Sequence, residues 1–460
     1  MLKIYNTLTQ KKEIFKSLVD KKINMYVCGM TVYDYCHLGH ARVMLVFDVV
    51  VRYLRSQGFE VNYVCNITDI DDKIIQRAHE NKETFQELTQ RYIQALEEDM
   101  KALGVISPTK QPRATSYIAE MQALISVLLE EEIAYRAVSG DIYYDVKKFS
   151  SYGKLSHRHL DELQAGIRVE VSEDKKNPLD FVLWKMAKPG EPAWDSPWGR
   201  GRPGWHIECS AMSMQCLGEH FDIHGGGFDL IFPHHENEIA QSEGVTHKTF
   251  ANTWMHVGYL QVNKEKMSKS LGNFFTIRDI LKKYHPEVIR YFILSSQYRS
   301  PLHYSEEILN NAQLALERLY LVLREFNLKE NIKPASSRFR ERFLSSMNDD
   351  FNTPEALAVL FEIAREINRI KNENEEEAKM LAYELREEAA ILGLLTEEPS
   401  NFLQKSSKEI DVKRIEMLIQ QRVLARLEKD WKQADKIRDE LFALGVVIED
   451  AEGKTRWRIQ

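Results

Sequence analysis

Residues 229–244 read DLIFPHHENEIAQSEG, two adjacent histidines followed by acids at 236 and 238. The chain has 14 histidines, and seven of them (His206, His220, His224, His234, His235, His247, His256) fall within one short stretch. Imidazoles beside carboxylates are metal-ligand material. Pro233 suits the first turn of a helix, which places His234 and Glu238 at i and i+4 on one face. His235 and Glu236 begin an HExxH-like run, but position 239 is Ile, so the metalloprotease pattern fails. A two-residue clip needs partners from elsewhere. Cys209, in WHIECS, and Cys28, at the end of an apolar strand, complete a borderline-soft set for Zn2+. Spacing alone leaves open the alternative of two buried apolar cysteines and a surface His234/Glu238 pair.

Two further stretches suit phosphate. HLGH, residues 37–40, opens a helix, where Gly39 lets backbone amides approach an anion and His37 and His40 can hold phosphoryl oxygens. EKMSKSLGN, residues 265–273, offers Lys266 and Lys269 to a triphosphate. Ordinary helix-start histidines and a solvated lysine loop are the plain alternatives. Neither a Walker A signature nor a GxGxxG is present.

The elements that must position these residues follow from the apolar pattern. INMYVCGM reads as a strand, HLGHARVMLVFDVVVRYLRSQG as a helix closed by Gly58, FEVNYVCNIT as a strand, and DIDDKIIQRAHEN as a helix under an acidic cap. That is a parallel-sheet crossover unit. Periodic helical segments run to about Ala134, residues 139–155 look like a hairpin, and 177–204 read as an irregular Pro/Gly/Trp-rich insert. A second unit follows: WHIECSAMSMQCLG as helix, FDIHGGG as strand, PHHENEIAQSEG as helix, NTWMHVG as strand. From Thr276 to about Leu395 the pattern is wholly helical, TEEPSNFLQKSSK is a polar linker, and the tail shows two helices and two short strands.

At 460 residues, with 43% hydrophobic and 10% aromatic content, the chain is multidomain and globular. It has no apolar run long enough for a membrane span, and MLKIYNTLTQKKEIF lacks a signal-peptide core. Five scattered cysteines without a CxxC pair suit a reducing cytosol. The net charge of −7 argues weakly against nucleic acid. Residues 351–400 alone carry 5 Lys and Arg against 12 Asp and Glu, however, whereas 401–460 carry 13 against 11. The tail is therefore mildly basic, and a local basic face can bind phosphates.

HLGH and KMSKS, in this order and flanking a split parallel sheet, resemble the two signatures of class I aminoacyl-tRNA synthetases, with Leu38 in place of the family's Ile. MYVCGMTVYDYCHLGHAR, NITDIDDKII, DFVLWK, GWHIECSAM, GGFDLIFPHHENEIAQSE, KMSKSLGNF and DDFNTPEALAVLFEI narrow the resemblance to the cysteinyl-tRNA synthetases of bacterial type, over essentially the whole chain. The resemblance implies an α/β Rossmann-like catalytic domain in two halves (1–112 and 201–262) around an inserted connective domain (113–200). It also implies a KMSKS and stem-contact region (263–310), a helical bundle (311–400) and a small mixed anticodon-binding domain (401–460). The implied reaction activates L-cysteine with ATP and Mg2+ to cysteinyl-adenylate, then transfers cysteine to the 3′ end of tRNA-Cys. The enzyme is expected to be a cytoplasmic monomer.

By the same resemblance Cys28, Cys209, His234 and Glu238 hold one Zn2+. A substrate thiol loses its proton on coordination and bonds at about 2.3 Å, whereas a serine hydroxyl is a harder ligand that ionises far less readily. Shape alone separates such near-isosteres by only roughly 1–3 kcal/mol. A metal that reads the thiol also explains why no region of editing-domain size is left over. Four protein ligands require the ion to expand its coordination or loosen one ligand when cysteine binds. His37, His40, Lys266 and Lys269 are expected to serve ATP, and Gly29, Thr31, Gly39, Met267, Ser268 and Ser270 to bind substrate or ATP. Asp229 suits the substrate ammonium, Trp205 walls the pocket, Tyr33 and Thr68 are further candidates for it, and His206, His224 and His256 surround the metal or the reacting carboxylate. In the tail, Arg426, Trp431, Asp435 and Asp450 are expected to read the anticodon, with the tryptophan stacking a base.

Three other readings compete. A cysteine ligase acting on an amino sugar would share the catalytic core but lack this tail. A zinc hydrolase would leave HLGH and KMSKS unexplained, and an inactive RNA-binding protein would have no use for the intact motifs.

Overall fold

The computed structural model describes residues 1–158, 174–262, 265–266, 274–328, 337–404, 412–451 and 454–459. The chain divides into two compact units, one of residues 1–278, 293–305 and 344–356, the other of 279–292, 306–343 and 357–460.

In the first unit a hairpin of β1 (Lys3–Asn6) and β2 (Lys11–Ile14) precedes β3 (Lys22–Thr31), α1 (Leu38–Ser56), β4 (Glu60–Thr68), α2 (Asp72–Asn81), α3 (Phe85–Ala102) and α4 (Ile118–Glu130). Then come β5 (Ala134–Arg136), β6 (Ile142–Tyr144), β7 (Phe181–Met186), β8 (Gly201–Pro203), α5 (Trp205–Leu217), β9 (Phe221–Gly227), α6 (Glu236–Thr246), β10 (Ala251–Val257), β11 (Leu260–Val262), β12 (Glu265–Lys266) and β13 (Leu302–Tyr304). The central sheet has the order β10-β9-β3-β4, all parallel. From β3 the chain crosses to β4 on one side, and from β9 to β10 on the other. The order therefore reverses between β3 and β9, where open α/β sheets bind ligands at the strands' carboxyl ends. Such a sheet is covered on both faces, which is why KINMYVCGMT is apolar nearly throughout.

Arg42, on α1, is buried, and its guanidinium donates to the carbonyls of Gly258, Tyr259, Tyr298 and Ser300. One side chain thus ties the helix that begins with HLGH to the loops beyond β10.

The predicted parallel sheet and its crossover helices are present, with Cys28 near the end of β3 and Cys209 on α5. Other expectations need correction. The 139–155 hairpin is in fact β5 paired with β6, starting earlier in the chain, and the "irregular" 177–204 stretch contributes β7 and β8, so that β5-β6-β7-β8 form an antiparallel sheet. Pro233 lies in a short π turn, Ile231–His235, and not in the first turn of α6. The helical run after Thr276 is interrupted by β13, which pairs with β11.

The remaining helices are α7 (Ile277–Leu281), α8 (Pro286–Leu294), α9 (Glu306–Leu323), α10 (Arg338–Asn348), α11 (Thr353–Ile370), α12 (Glu375–Ile391), α13 (Pro399–Gln404), α14 (Val412–Leu427) and α15 (Trp431–Ala443), followed by the hairpin β14 (Val446–Ala451) and β15 (Lys454–Ile459). Part of the expected polar linker is helical: α13 buries Phe402 and Leu403. In the tail Ile415, Leu418, Ile437, Leu441, Val446 and Trp457 make a small separate core. Among the described residues no helix is long and apolar enough to cross a membrane.

Candidate active site

Cys28 and Gly29 sit where the β3–β4 register shifts, between Val27 and Met30. Such an irregularity re-aims a side chain at the end of a strand. Cys28 Sγ lies 3.6 Å from Cys209 Sγ and 3.4 Å from Glu238 Oε1, and His234 Nε2 is 3.0 Å from the same Glu238 oxygen. All four residues are buried, with donor atoms within 4.8 Å of one another, and both cysteines are free thiols. Metal–donor bonds of about 2.0–2.3 Å in a tetrahedron put neighbouring donors roughly 3.3–3.8 Å apart, so the spacing fits one ion. The surface-pair alternative for His234 and Glu238 is excluded, since they are 1% and 0% exposed. Burial opposes charge here, yet His224 and His234 hold the Glu238 carboxyl well below its usual range. Burial also opposes the His234 cation, but Glu238 and Cys209 raise it to about 10, while Cys209 itself is drawn down to about 6 against burial by Cys28 and His234. Without a metal, Glu238 and Cys209 thus share the His234 proton as a buried ion-paired cluster.

A ring of histidines surrounds these donors. His206 Nδ1 is 2.9 Å from His234 Nδ1, leaving Nε2 of His234 to face Glu238. Trp205 stacks on the His234 ring at 4.2 Å. His224 Nε2 is 2.8 Å from Glu238 Oε2, and His235 Nδ1 is 2.8 Å from His256 Nε2. The acids of HHENE divide the work. Glu238 faces the cluster, while Glu236 accepts from the backbone amides of Gly153, Leu155 and Ser156, and Asn237 accepts from the Tyr152 hydroxyl.

A cavity of about 270 Å3 opens beside Cys28, lined among others by Thr31, Tyr33, His40, Trp205 and Asp229. Gly29 donates its amide to Asn66 Oδ1 at 2.8 Å. Thr68 is not a wall of this cavity: its hydroxyl donates to Glu208 at 3.0 Å and accepts from Asn66 Nδ2 at 3.3 Å. Sequence reasoning missed Asn66 and Glu208; an acid at the centre of WHIECSAM, on an otherwise apolar helix, was the available signal. His256 faces a second, larger cavity of about 550 Å3 that shares Asp229 with the first.

His37 caps α1. Its ring accepts from the His40 amide, the His40 ring accepts from the His37 amide, and the two rings stack at 3.6 Å. The Leu38 amide donates to the Phe275 carbonyl. The amides of His37, Leu38 and His40 are therefore engaged within the protein, and the two imidazoles stand at the helix start. Lys266 ends β12, whereas Met267, Ser268, Lys269 and Ser270 lie outside the described residues.

In the second unit Asp450 is bound by Arg422 through two 2.9 Å hydrogen bonds and by Arg426 at 2.6 Å. The Arg422 hydrogen bonds, with help from Thr455 and Arg426, hold its carboxyl well below the usual range. Arg426 and Asp450 are thus one ion-paired unit. Trp431 starts α15 and is 59% exposed, and Asp435 lies on the same helix, 3.3 Å from Arg438.

Three family models match the sequence: tRNA synthetases class I (C) catalytic domain over residues 14–314, DALR domain over 342–396, and cysteinyl-tRNA ligase anticodon binding domain over 412–458. The chain is 60% identical to a cysteine–tRNA ligase of Coxiella burnetii (strain Dugway 5J108-111) over 99% of this chain and 100% of that protein. It is 57% identical to one of Ectopseudomonas mendocina over 100% and 99%. Among solved structures, methionyl-tRNA synthetase of Mycobacterium tuberculosis in complex with methionyl-adenylate aligns with a TM-score of 0.56 at 14% identity, covering 86% of this chain and 94% of that one. A ternary complex of Agrobacterium radiobacter K84 LeuRS aligns with a TM-score of 0.59 at 10% identity, covering 84% and 86%. At such identities these two structures share the fold.

Proposed function

The chain belongs to the cysteine–tRNA ligases, class I aminoacyl-tRNA synthetases, and from that premise we propose how its own residues divide the reaction. The observation that carries the reading is the buried donor set of Cys28, Cys209, His234 and Glu238 beside the 270 Å3 cavity. These residues would hold Zn2+, whose chemistry, when bound, is to take the substrate thiol as thiolate and reject the serine hydroxyl. Trp205, stacked on the ring face, and His206, bonded to Nδ1, orient His234. Asp229 holds the cysteine ammonium, and Thr31 and Tyr33 line the same pocket. Gly29, anchored on Asn66, keeps the β3 end in place, and Thr68 positions rather than contacts.

The chemistry then needs alignment more than a nucleophile from the enzyme. The cysteine carboxylate attacks the α-phosphorus of ATP in line, and pyrophosphate leaves with its Mg2+. His37 and His40 steady the phosphoryl oxygens, while Lys266 and Lys269, with Met267, Ser268 and Ser270, close over the triphosphate. The 3′-terminal hydroxyl of tRNA-Cys then attacks the cysteinyl carbonyl of the adenylate, taking the cysteinyl group as AMP leaves. Residues 1–112 and 201–262 form the catalytic halves, 113–200 the insert, 263–310 the KMSKS and stem-contact region, 311–400 the bundle and 401–460 the anticodon reader. In that last part Trp431 stacks a base, and Arg426, Asp435 and Asp450 face base edges. A cytoplasmic monomer completes the reading. The 412–458 match to an anticodon binding domain favours tRNA over an amino sugar as acceptor.

ATP–pyrophosphate exchange with each amino acid, before and after chelation, tests the proposal. Exchange with cysteine alone, lost on stripping and restored by zinc, is expected. Cysteine-dependent exchange that survives complete metal removal would overturn the zinc assignment and leave the ligase standing.

A further inference from the structure

The buried cluster contains two overlapping donor sets. Cys28 and Glu238 belong to both. Cys209 and His234 complete one, His224 and His235 the other, and within each the donor atoms lie within 4.8 Å of one another. The two residues particular to the second set, His224 and His235, have no part in the reaction proposed above. His235 Nε2 is 3.3 Å from Cys28 Sγ and 3.9 Å from Glu238 Oε1, while His224 Nε2 is 2.8 Å from Glu238 Oε2. Glu238 thus turns Oε1 to Cys28, His234 and His235 and Oε2 to His224.

The orientation of His235 is fixed from outside the cluster. Its Nδ1 bonds His256 Nε2 at 2.8 Å, and His256 Nδ1 bonds Thr7 Oγ1 at 2.8 Å. A hydrogen-bond partner on the far nitrogen is the usual companion of a metal-ligating histidine. His224 lies flat against Trp254 at 4.4 Å, and its Nδ1 has no hydrogen-bond partner among the described residues. Both rings are 0% exposed. Burying two imidazoles costs free energy that packing alone does not require, since apolar rings would fill the same space.

We propose that His224 and His235 form a second seat for the same ion, sharing Cys28 and Glu238, which retains it when Cys209 or His234 disengages. One sulfur, two nitrogens and one oxygen remain a borderline set suited to Zn2+ or Co2+. The inference rests on the first set being a metal site. It also answers how a site with four protein ligands yields one to an incoming thiolate: a released ligand leaves a complete four-donor set behind rather than a three-donor remnant.

The test loads the full-length chain with Co2+ and compares wild type, C209A/H234A and C209A/H234A/H235A by metal content after desalting and by the thiolate-to-cobalt charge-transfer band, with circular dichroism as the fold check. Wild type is expected to hold one ion with a two-thiolate band. The double variant keeps one ion with a one-thiolate band of about half the intensity, and the triple variant binds it at least tenfold more weakly, the scale on which supporting groups act. A folded double variant that binds no ion overturns the second seat, as does a triple variant that binds as tightly as the double. If the double variant does not fold, C209S is read in the same way against C209S/H235A. A wild type that binds no cobalt would instead overturn the first seat, and the second with it.

Discussion

Thr68 donates its hydroxyl hydrogen to Glu208 across 3.0 Å, with the two residues 2% and 1% exposed. The bond joins the carboxyl end of β4 to α5, the helix that carries Cys209 next in sequence. Glu208→Ala leaves that hydroxyl buried without its acceptor and is expected to cost about 1–3 kcal/mol. Thr68→Val should cost a comparable amount, and the double variant less than the sum. Additive losses in denaturant titrations would show that the two groups are not coupled.

Gly29 is fixed by crowding. A Cβ there would stand 1.7 Å from the Asn66 carbonyl oxygen, a backbone atom that cannot swing aside. Gly29→Ala must force β3 away from β4 next to Cys28. Overpacking of this kind typically costs about 1–3 kcal/mol, occasionally more, and the melting temperature should fall together with metal content. Unchanged metal content in a folded variant would separate the strand register from the donor set.

Stripping the metal should lower the melting temperature as well as abolish cysteine activation, because the donors then lose the cation that neutralises them. Differential scanning calorimetry before and after chelation measures the first effect, and adding zinc back should reverse it. Identical melting curves would mean that the donor set binds no ion in solution.

Glu388, on α12, gives the second unit a pH dependence. It is 0% exposed, with Arg340 3.0 Å away. Burial outweighs Arg340 and, with Glu384, raises the carboxyl from its ordinary 4.5 to about 7. The folded chain therefore keeps a proton that the unfolded chain has released between these values. The associated stability is fully present below 4.5 and is lost as pH rises to about 7, by up to about 1.4 kcal/mol per pH unit. Glu388→Gln should flatten that part of the stability profile. A slope unchanged in the variant would assign the dependence to other groups.

Trp431→Ala should leave stability within about 0.5 kcal/mol, as expected at an exposed position. Binding of tRNA-Cys should weaken by about 1–3 kcal/mol, the loss of one base stack. Filter binding at fixed salt reads this directly, and full retention of affinity would remove the tryptophan from the anticodon reading.

The residues that hold the site were legible where chemistry and spacing coincide. His234 and Glu238 declare themselves by an i, i+4 interval, and FDIHGGG and NTWMHVG by their strand character. Glu208 was hidden because its function depends on Thr68, far away in sequence, and His235 because a ring's direction is decided by His256 and Thr7 rather than by its neighbours. The sheet β5-β6-β7-β8 escaped for a different reason: its strands are too short for a period-2 pattern to emerge, and FVLWKM lies in a Pro- and Gly-rich stretch that looks irregular until β6 pairs with it. α13 was read as linker because only Phe402 and Leu403 in it are apolar and buried.

The metal donors are drawn from chain segments far apart, with 210 positions between Cys28 and Glu238. Synthesis on the ribosome proceeds from the amino end, so Cys28 emerges long before His234 and Glu238 have been added. For most of that interval, until Cys209 is added, the thiol has none of its partners. With the set holding zinc as proposed, metallation is a late event of biogenesis, and zinc scarcity would act on newly made chains before it acts on finished ones.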